Sequence, residues 1–226
     1  MSTVPRPVRV GGALLAGALL LSGCAGLRPG TAVEVGDEQI TTSELDSVAT
    51  RYCSAASASL DQQAQTIPHS YIRGGIAGLL AMQEVASQVA AERGVEVETD
   101  AYRRQLGAVR DRVADLSEAH QEAVLEVEGA RIYTTVAQTE IGEDVLGSGG
   151  EDSELQAAGA QEMQRWIEEN GVEFDPSLNV TMRDGAPAPA DGSLSFAVSE
   201  GAKAGQEEQP NSALAAELPD SQRCGR

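Results

Sequence analysis

Lysine is almost missing from this chain: Lys203 is the only one, and arginine supplies the rest of the positive charge. With the abundance of Ala and Gly, this reads as the codon usage of a GC-rich genome rather than a functional choice. Aromatic residues make up only 3% of the sequence, namely Tyr52, Tyr71, Tyr102, Tyr133, Phe174, Phe196 and Trp166. A sugar-binding platform or a tightly packed enzyme core draws on more large flat side chains than this. Positive charge is scarce as well: 16 Lys and Arg face 35 Asp and Glu, for a net charge of −19. Such a field argues against direct binding of nucleic acid or anionic lipid head groups and favours solubility and basic clients. No C-x-x-C, G-x-S-x-G, H-E-x-x-H or phosphate-loop pattern is present. The residues needed for dithiol redox chemistry, a nucleophile elbow, a zinc protease helix or a nucleotide cradle are therefore not found in their usual spacing.

No apolar run is long enough to span a bilayer. The longest, Val10 to Leu21, follows Arg6 and Arg9 and precedes Ser22-Gly23-Cys24. It has signal-peptide length, roughly 7–15 residues, and falls short of the roughly 20 that a membrane-spanning helix needs. Leu21-Ser22-Gly23-Cys24 resembles the lipobox of bacterial lipoproteins. The resemblance implies cleavage before Cys24 and lipidation of its thiol with palmitate-type acyl chains. Each buried methylene contributes about 0.8 kcal/mol, so two or three chains suffice for stable anchoring. An ordinary secreted protein with an accidental cysteine is the alternative. The expected organisation is a signal peptide over 1–23, a lipidated tether over 24–30, a helical domain over 31–183 and a Pro/Ala/Gly-rich, partly disordered tail over 184–226. The leader carries two arginines and no acid, so its loss takes the net charge from −19 to −21.

Cys53 and Cys224 remain. Two cysteines in an exported chain often pair, and this pair would tie the C-terminal tail to the first helix. Two free thiols are the alternative.

The apolar pattern is mainly helical. Thr31 to Ile40 reads first as a β-hairpin, with Val33 and Val35 alternating against polar neighbours and Gly36-Asp37 at the turn. Thr41 and Glu44 have capping-box spacing, so a first helix is expected with Leu45, Val48, Ala49, Tyr52 and Ala56 on one face. A Ser/Gln-rich break is expected from Ser57 to Thr66. Pro68 suits the first turn of a second helix, with Ile72, Ile76, Leu79 and Gln83 in a stripe widened by Leu80, Val85 and Val89; Gly94 is its stop. Gly74, Gly75 and Gly78 weaken that helix and are expected to admit another helix at close range. A third helix opens at Thr99 or Asp100 with the stripe Tyr102, Leu106, Val109, Val113 and Leu116. Ser117 starts a long fourth helix to about Leu146. Gly147 to Asp152 is a linker, and a fifth helix runs from Ser153 to Asn170. Val172, Phe174, Leu178, Val180 and Met182 read as an extended segment able to pair with Val33–Val35. Ala186-Pro-Ala-Pro-Ala190 reads as polyproline-like, Ser193–Val198 as a short strand, and the remainder as disordered up to Cys224.

Chemistry-bearing residues are sparse. His69 and His120 fall on different helices without metal-type partners. Glu143-Asp144 and Glu168-Glu169 read as solvated charge, and Trp166 as a core residue. Asn179-Val-Thr181 fits a glycosylation acceptor, which the bacterial leader discounts. No catalytic residue, metal ligand or cofactor is assigned, and the peptide-binding residues are not identifiable beyond a groove expected between helices two and three.

Three stretches carry a family resemblance. Ala32 to Asp46 (strand, Gly-Asp turn, Thr cap, helix) looks like the opening of SurA-type and PrsA-type chaperones. Trp166 to Pro176 resembles the last helix and returning strand of the same domain. Ala190 to Ser199 is similar to a tail segment of such lipoproteins from GC-rich Gram-positive bacteria. The resemblance covers roughly 31–200 and implies a SurA-like helical chaperone domain with a small β element joining its two ends. Family members carry a parvulin domain between the early helices and the last one. The join at Gly147 to Asp152 is too short for it, so no catalytic residues carry over. After Pro176, Ser177-Leu178-Asn179 also departs from the family pattern.

The expected protein is a lipid-anchored lipoprotein on the extracytoplasmic face of the cell membrane. It acts as a chaperone-like holdase or folding factor for exported proteins, without prolyl isomerase activity. Its partners are unfolded or extended exported polypeptides, and the membrane through the anchor, but not nucleic acid. The alternative is a structural or scaffolding envelope lipoprotein with one dedicated protein partner. A degenerate isomerase is the third reading.

Overall fold

The computed structural model describes residues 27–147, 149–190 and 211–225; the leader, Cys24 and Ser193–Val198 lie outside them. The fold is mainly helical with a few small sheets. Five long helices make the body: α1 (Thr42–Gln62), α2 (His69–Arg93), α3 (Asp100–Arg112), α4 (Glu118–Leu146) and α5 (Asp152–Asn170). A short α6 (Ser212–Ala215) lies near the C-terminus. The strands are β1 (Thr31–Val35), β2 (Glu38–Thr41), β3 (Ile67–Pro68), β4 (Val172–Phe174), β5 (Val180–Arg183), β6 (Ala186–Pro189) and β7 (Arg223–Cys224). None of the described helices is long and apolar enough to cross a membrane.

Local chemistry sets most helix ends. Thr41 accepts a hydrogen bond from the Glu44 amide and starts α1, satisfying a backbone donor the helix cannot. Gly94 ends α2 in the left-handed conformation at φ 68°, which costs a Cβ-bearing residue more. Thr99 and Ser117 occupy the N-cap positions of α3 and α4. Helix α1 does not stop at Ser57. Ser54 and Ser57 donate back to the carbonyls of Thr50 and Cys53, and Leu60 is buried, so packing carries the helix through a polar stretch that propensity alone would break.

Strand β1 is the centre of a three-stranded antiparallel sheet, with β2 on one side and β4 on the other. Val33 pairs with Phe174 and Val35 with Val172, which joins the two ends of the helical body. The extended segment expected through Met182 breaks after Phe174, because Pro176–Leu178 form a 3₁₀ turn and Val180–Arg183 pair with Ala186–Pro189 instead. Val33 and Val35 are fully buried beside Leu45, Val48 and Ala49 of α1. The buried face of α2 is alanine-rich: Ala77, Ala81 and Ala86 are inaccessible, while Leu79, Leu80 and Gln83 are only half-buried. Ile132, Val136 and Ile141 of α4 and Met163, Trp166 and Ile167 of α5 complete the core. Full burial contributes about 1.5–3 kcal/mol for each large apolar side chain.

Helices α4 and α5 run antiparallel and touch backbone to backbone. A Cβ on Gly142 would collide with the Leu155 carbonyl, and one on Gly159 with the Gln138 carbonyl. The glycines singled out in α2 do something else. A Cβ on Gly74 would lie 2.8 Å from the Leu178 carbonyl oxygen, and one on Gly78 2.8 Å from Pro187; Gly75 faces open space. The segment they admit is thus the β5–β6 hairpin with its approach, not a helix.

That hairpin corrects the polyproline reading of 186–190 and straddles the domain boundary expected at Arg183. Arg183 pairs with Ala186, Met182 with Pro187, Thr181 with Ala188 and Val180 with Pro189. The Ala190 amide donates to the Asn179 carbonyl. The two-residue period of a strand then turns the Ala188 and Ala186 amides toward β5 and places Pro187 and Pro189 at positions whose donors are not needed. The alternating Ala-Pro pattern therefore makes a strand with an outer edge that cannot donate.

Cys53 and Cys224 form a disulfide, with Cα atoms 5.4 Å apart. Residues 211–225 are folded, contrary to the disorder expected before Cys224: α6, a 3₁₀ turn (Asp220–Gln222) and β7, which pairs antiparallel with β3.

Candidate functional site

The sequence points to a groove between helices two and three. Helix α3 packs on α4 instead, with the Tyr102 and Tyr133 rings edge to face at 5.8 Å. The half-buried stripe of α3 therefore reflects helix packing. Burial pushes the Tyr102 phenol above its ordinary range, aided by Glu98.

A cleft of about 390 Å³ lies elsewhere, between α2, α4, α5 and the β5–β6 hairpin. Leu79 and Met82 of α2 and Pro187 of the hairpin supply its apolar surface, and Gln138, Gln161 and Gln164 its amides. The hairpin is fixed over the helices at two points. Pro187 sits in the notch at Gly78, and a Cβ on Gly185 would meet Gln164 at 2.9 Å. Asp184 and Gly185 both have positive φ, 52° and 76°, the conformation of a tight hairpin turn. The backbone at this wall is therefore set by turn chemistry and by two small contacts.

The polar groups of the cleft are not equally committed. Thr134 and Thr135 donate to the carbonyls of Ala130 and Arg131. Gln164 donates to Glu168 at 3.0 Å, and Arg131 pairs with Glu128 at 3.0 Å. The side chains of Gln138 and Gln161 make no hydrogen bond to the described residues. A side-chain amide both donates and accepts, so two free amides facing one cleft match the N–H and C=O of an extended backbone. The volume lies within the roughly 300–1,000 Å³ range of ligand pockets and holds a few residues of a peptide.

No family model, curated protein or solved structure matches this chain.

The residues singled out in the sequence fall into place around this site without joining it. His69 and His120 open α2 and α4. Among the described residues, no group of three His, Cys, Asp or Glu side chains could hold a metal ion. Trp166 is a core residue, as read: it is buried and its indole N–H donates to Glu92 at 2.8 Å. Asp144 is not simply solvated charge, because it pairs with Arg93 of α2 at 2.7 Å, and Arg93 also reaches Glu162 at 3.3 Å. Glu168 and Glu169 are exposed. Cys24 lies outside the described residues.

Two carboxyls away from the cleft are raised above their ordinary value. Burial pushes Glu126 above its ordinary value; Arg51 opposes this, and Glu44 and Glu122 add to it. Burial and then Glu143 raise Glu140. Both sit at helix contacts of α4.

Proposed function

We propose that this protein is a lipid-anchored extracytoplasmic lipoprotein that holds short extended segments of exported polypeptides, without catalysing their isomerisation. The observation that carries this reading is the cleft between α2, α4, α5 and the hairpin. It combines an apolar floor of Leu79 and Met82 with the free amides of Gln138 and Gln161. Such a surface contacts main chain and small apolar side chains without reading a sequence, which is what a holdase requires. The lipobox-like Leu21–Cys24 adds an anchor beside the export site. The likeness of residues 32–46 and 166–176 to SurA-type and PrsA-type chaperones points the same way. The short join from Gly147 to Glu151 between α4 and α5 leaves no room there for the isomerase domain of those chaperones.

The test is light scattering of a chemically unfolded exported protein diluted into increasing amounts of the purified chain. Suppression of aggregation near equimolar amounts without ATP, lost in Met82→Glu with unchanged helical circular dichroism, supports the holdase. Absence of suppression across several clients transfers the assignment to a scaffold with one dedicated envelope partner, to be sought by cross-linking in native membranes.

A further inference from the structure

The C-terminal strap, residues 211–225, covers an apolar patch separate from the main core. Cys53, Leu60 and Cys224 form that patch, with Ala56, Ile67 and Ile72 packed against them. Within the strap the order is self-made. Asn211 caps α6 by accepting from the amides of Ala213 and Leu214. Arg223 donates to the Ala216 carbonyl at 2.7 Å and pairs with Asp220. The strap meets the body along β3, α1 and α2. Ala215 is buried in the part that lies on β3. Ile67 pairs with Cys224 and Pro68 with Arg223, and Pro68 has no N–H to give. Strand β7 also lies against α1 and α2, the 3₁₀ turn lies against α2, and the sulfur bond closes the tip.

The seat is close-fitting. Cys224 is 1% exposed. A Cβ on Gly225 would strike the Gln65 carbonyl and lie 3.0 Å from Leu60, and Gly225 sits at φ 79°. An extended backbone thus lies along the β3 edge with its last residues pressed into an apolar slot. Strand addition to a free edge with side chains in a pocket is a recurring way of taking up extended peptides.

We propose that the slot formed by the Ile67–Pro68 edge with Ala56, Leu60 and Ile72 is a docking site for an extended apolar polypeptide segment. The protein's own strap fills this slot while Cys53 and Cys224 are bonded. The proposal does not depend on the cleft described above, which lies on other elements. Opening requires a dithiol reductant. The Cys53–Cys224 bond breaks and takes up two electrons and two protons, giving two thiols, while the reductant's two thiols become a disulfide. Because both sulfurs are buried, the strap tip must first open locally, so the latch resists small thiols better than an exposed disulfide does. Once reduced, the strap loses its covalent tie and keeps its two-residue ladder and its packing on α1, α2 and β3, against which an external segment competes for the slot.

The probe is a fluorescent synthetic peptide copying residues 211–225 with serine in place of Cys224, added to the full chain purified in detergent. The expected result is binding to the reduced protein and to the Cys53→Ser/Cys224→Ser variant that is about tenfold or more tighter than to the oxidised protein, since an occupied site binds in proportion to its open fraction. Hydrogen exchange should rise over 211–225 and 60–68 only. Equal affinity in both redox states overturns the proposal. Because the serine variant could lose its fold, a chain ending at residue 210 serves as a second test. Retained helical circular dichroism with tight peptide binding supports a detachable cover, and loss of helix or of binding overturns it.

Discussion

Two seams of this molecule are built from opposite materials. Along α4 and α5, Gly142 and Gly159 let the backbones meet, and no side chain intervenes at the crossing. At the C-terminal strap, a two-residue ladder and short packing contacts on α1, α2 and β3 are closed by one disulfide. The first seam is distributed and sterically exact in the sense that no other residue fits. The second is concentrated in a bond that chemistry can open. A rigid body and a conditional cover thus coexist in one chain, and the difference predicts how each should fail.

The α4–α5 seam should break hardest. Gly159→Val places atoms on the Gln138 carbonyl, and backbone cannot rotate away as a side chain can. The expected loss is about 4 kcal/mol with a cooperative drop in melting temperature, at the upper end of single-residue effects. A variant with unchanged stability would mean the helices can separate at low cost. Breaking the other seam should do less and do it differently. Cys53→Ser/Cys224→Ser removes a cross-link between residues 171 apart, which lowers global stability by about 2–4 kcal/mol through the unfolded chain. Helical circular dichroism of the native state should stay the same. Loss of helix before global unfolding would show that the strap supports the body rather than covering it.

The same contrast explains what could be read from the sequence. Features written in adjacent residues were legible: the Gly36-Asp37 turn, the Thr41 cap, the Gly94 stop, the Ser117 start and the alternation that pairs Val33–Val35 with Val172–Phe174. Each depends on local torsion or period. Features that depend on a distant partner were not. Helix α1 passes Ser57 because Leu60 is buried under the C-terminal strap. Residues 186–189 form a strand because β5 supplies acceptors to their alanines. Gly74 and Gly78 meet Leu178 and Pro187 rather than a helix. The cleft joins Gln138 and Gln161 from two helices to Leu79, Met82 and Pro187 from two further elements, and glutamine has no spacing that marks such a convergence. On α2, Ile76, Val85 and Val89 of the expected stripe are buried, but the unbroken apolar or small run from Gly74 to Met82 leaves no mark that Ala77 and Ala81 rather than Leu79 face the core.

Weaker than either seam is the seating of the hairpin on α2. Gly78→Val presses on Pro187, which is carried by a two-stranded sheet able to shift. An expected loss of about 1–2 kcal/mol reflects that relief. The readout that matters is the cleft, because displacing Pro187 moves one wall. If the cleft holds polypeptide, Gly78→Val should weaken aggregation suppression more than its small stability change accounts for. Equal suppression would place the holding surface elsewhere.

The smallest effect concerns the α1–α4 contact, where charge rather than shape is set against folding. Burial, with Glu44 and Glu122, raises the Glu126 carboxyl above its ordinary 4.5, against the pull of Arg51. A raised folded-state value means that the favourable contribution is fully present below the unfolded value and is lost as pH rises through the folded one. Glu126 is therefore held at some cost at neutral pH. Glu126→Gln removes that titration and leaves Arg51 its closer partner Glu122 at 2.9 Å, while giving up only a contact of 4.0 Å. The melting temperature should rise by about 1 °C at pH 7 and by less as the pH falls toward the ordinary carboxylate range, where protonation relieves the same cost. A fall at pH 7 would instead make the Arg51–Glu126 attraction the stronger force, and this contact would join the seams that charge holds shut.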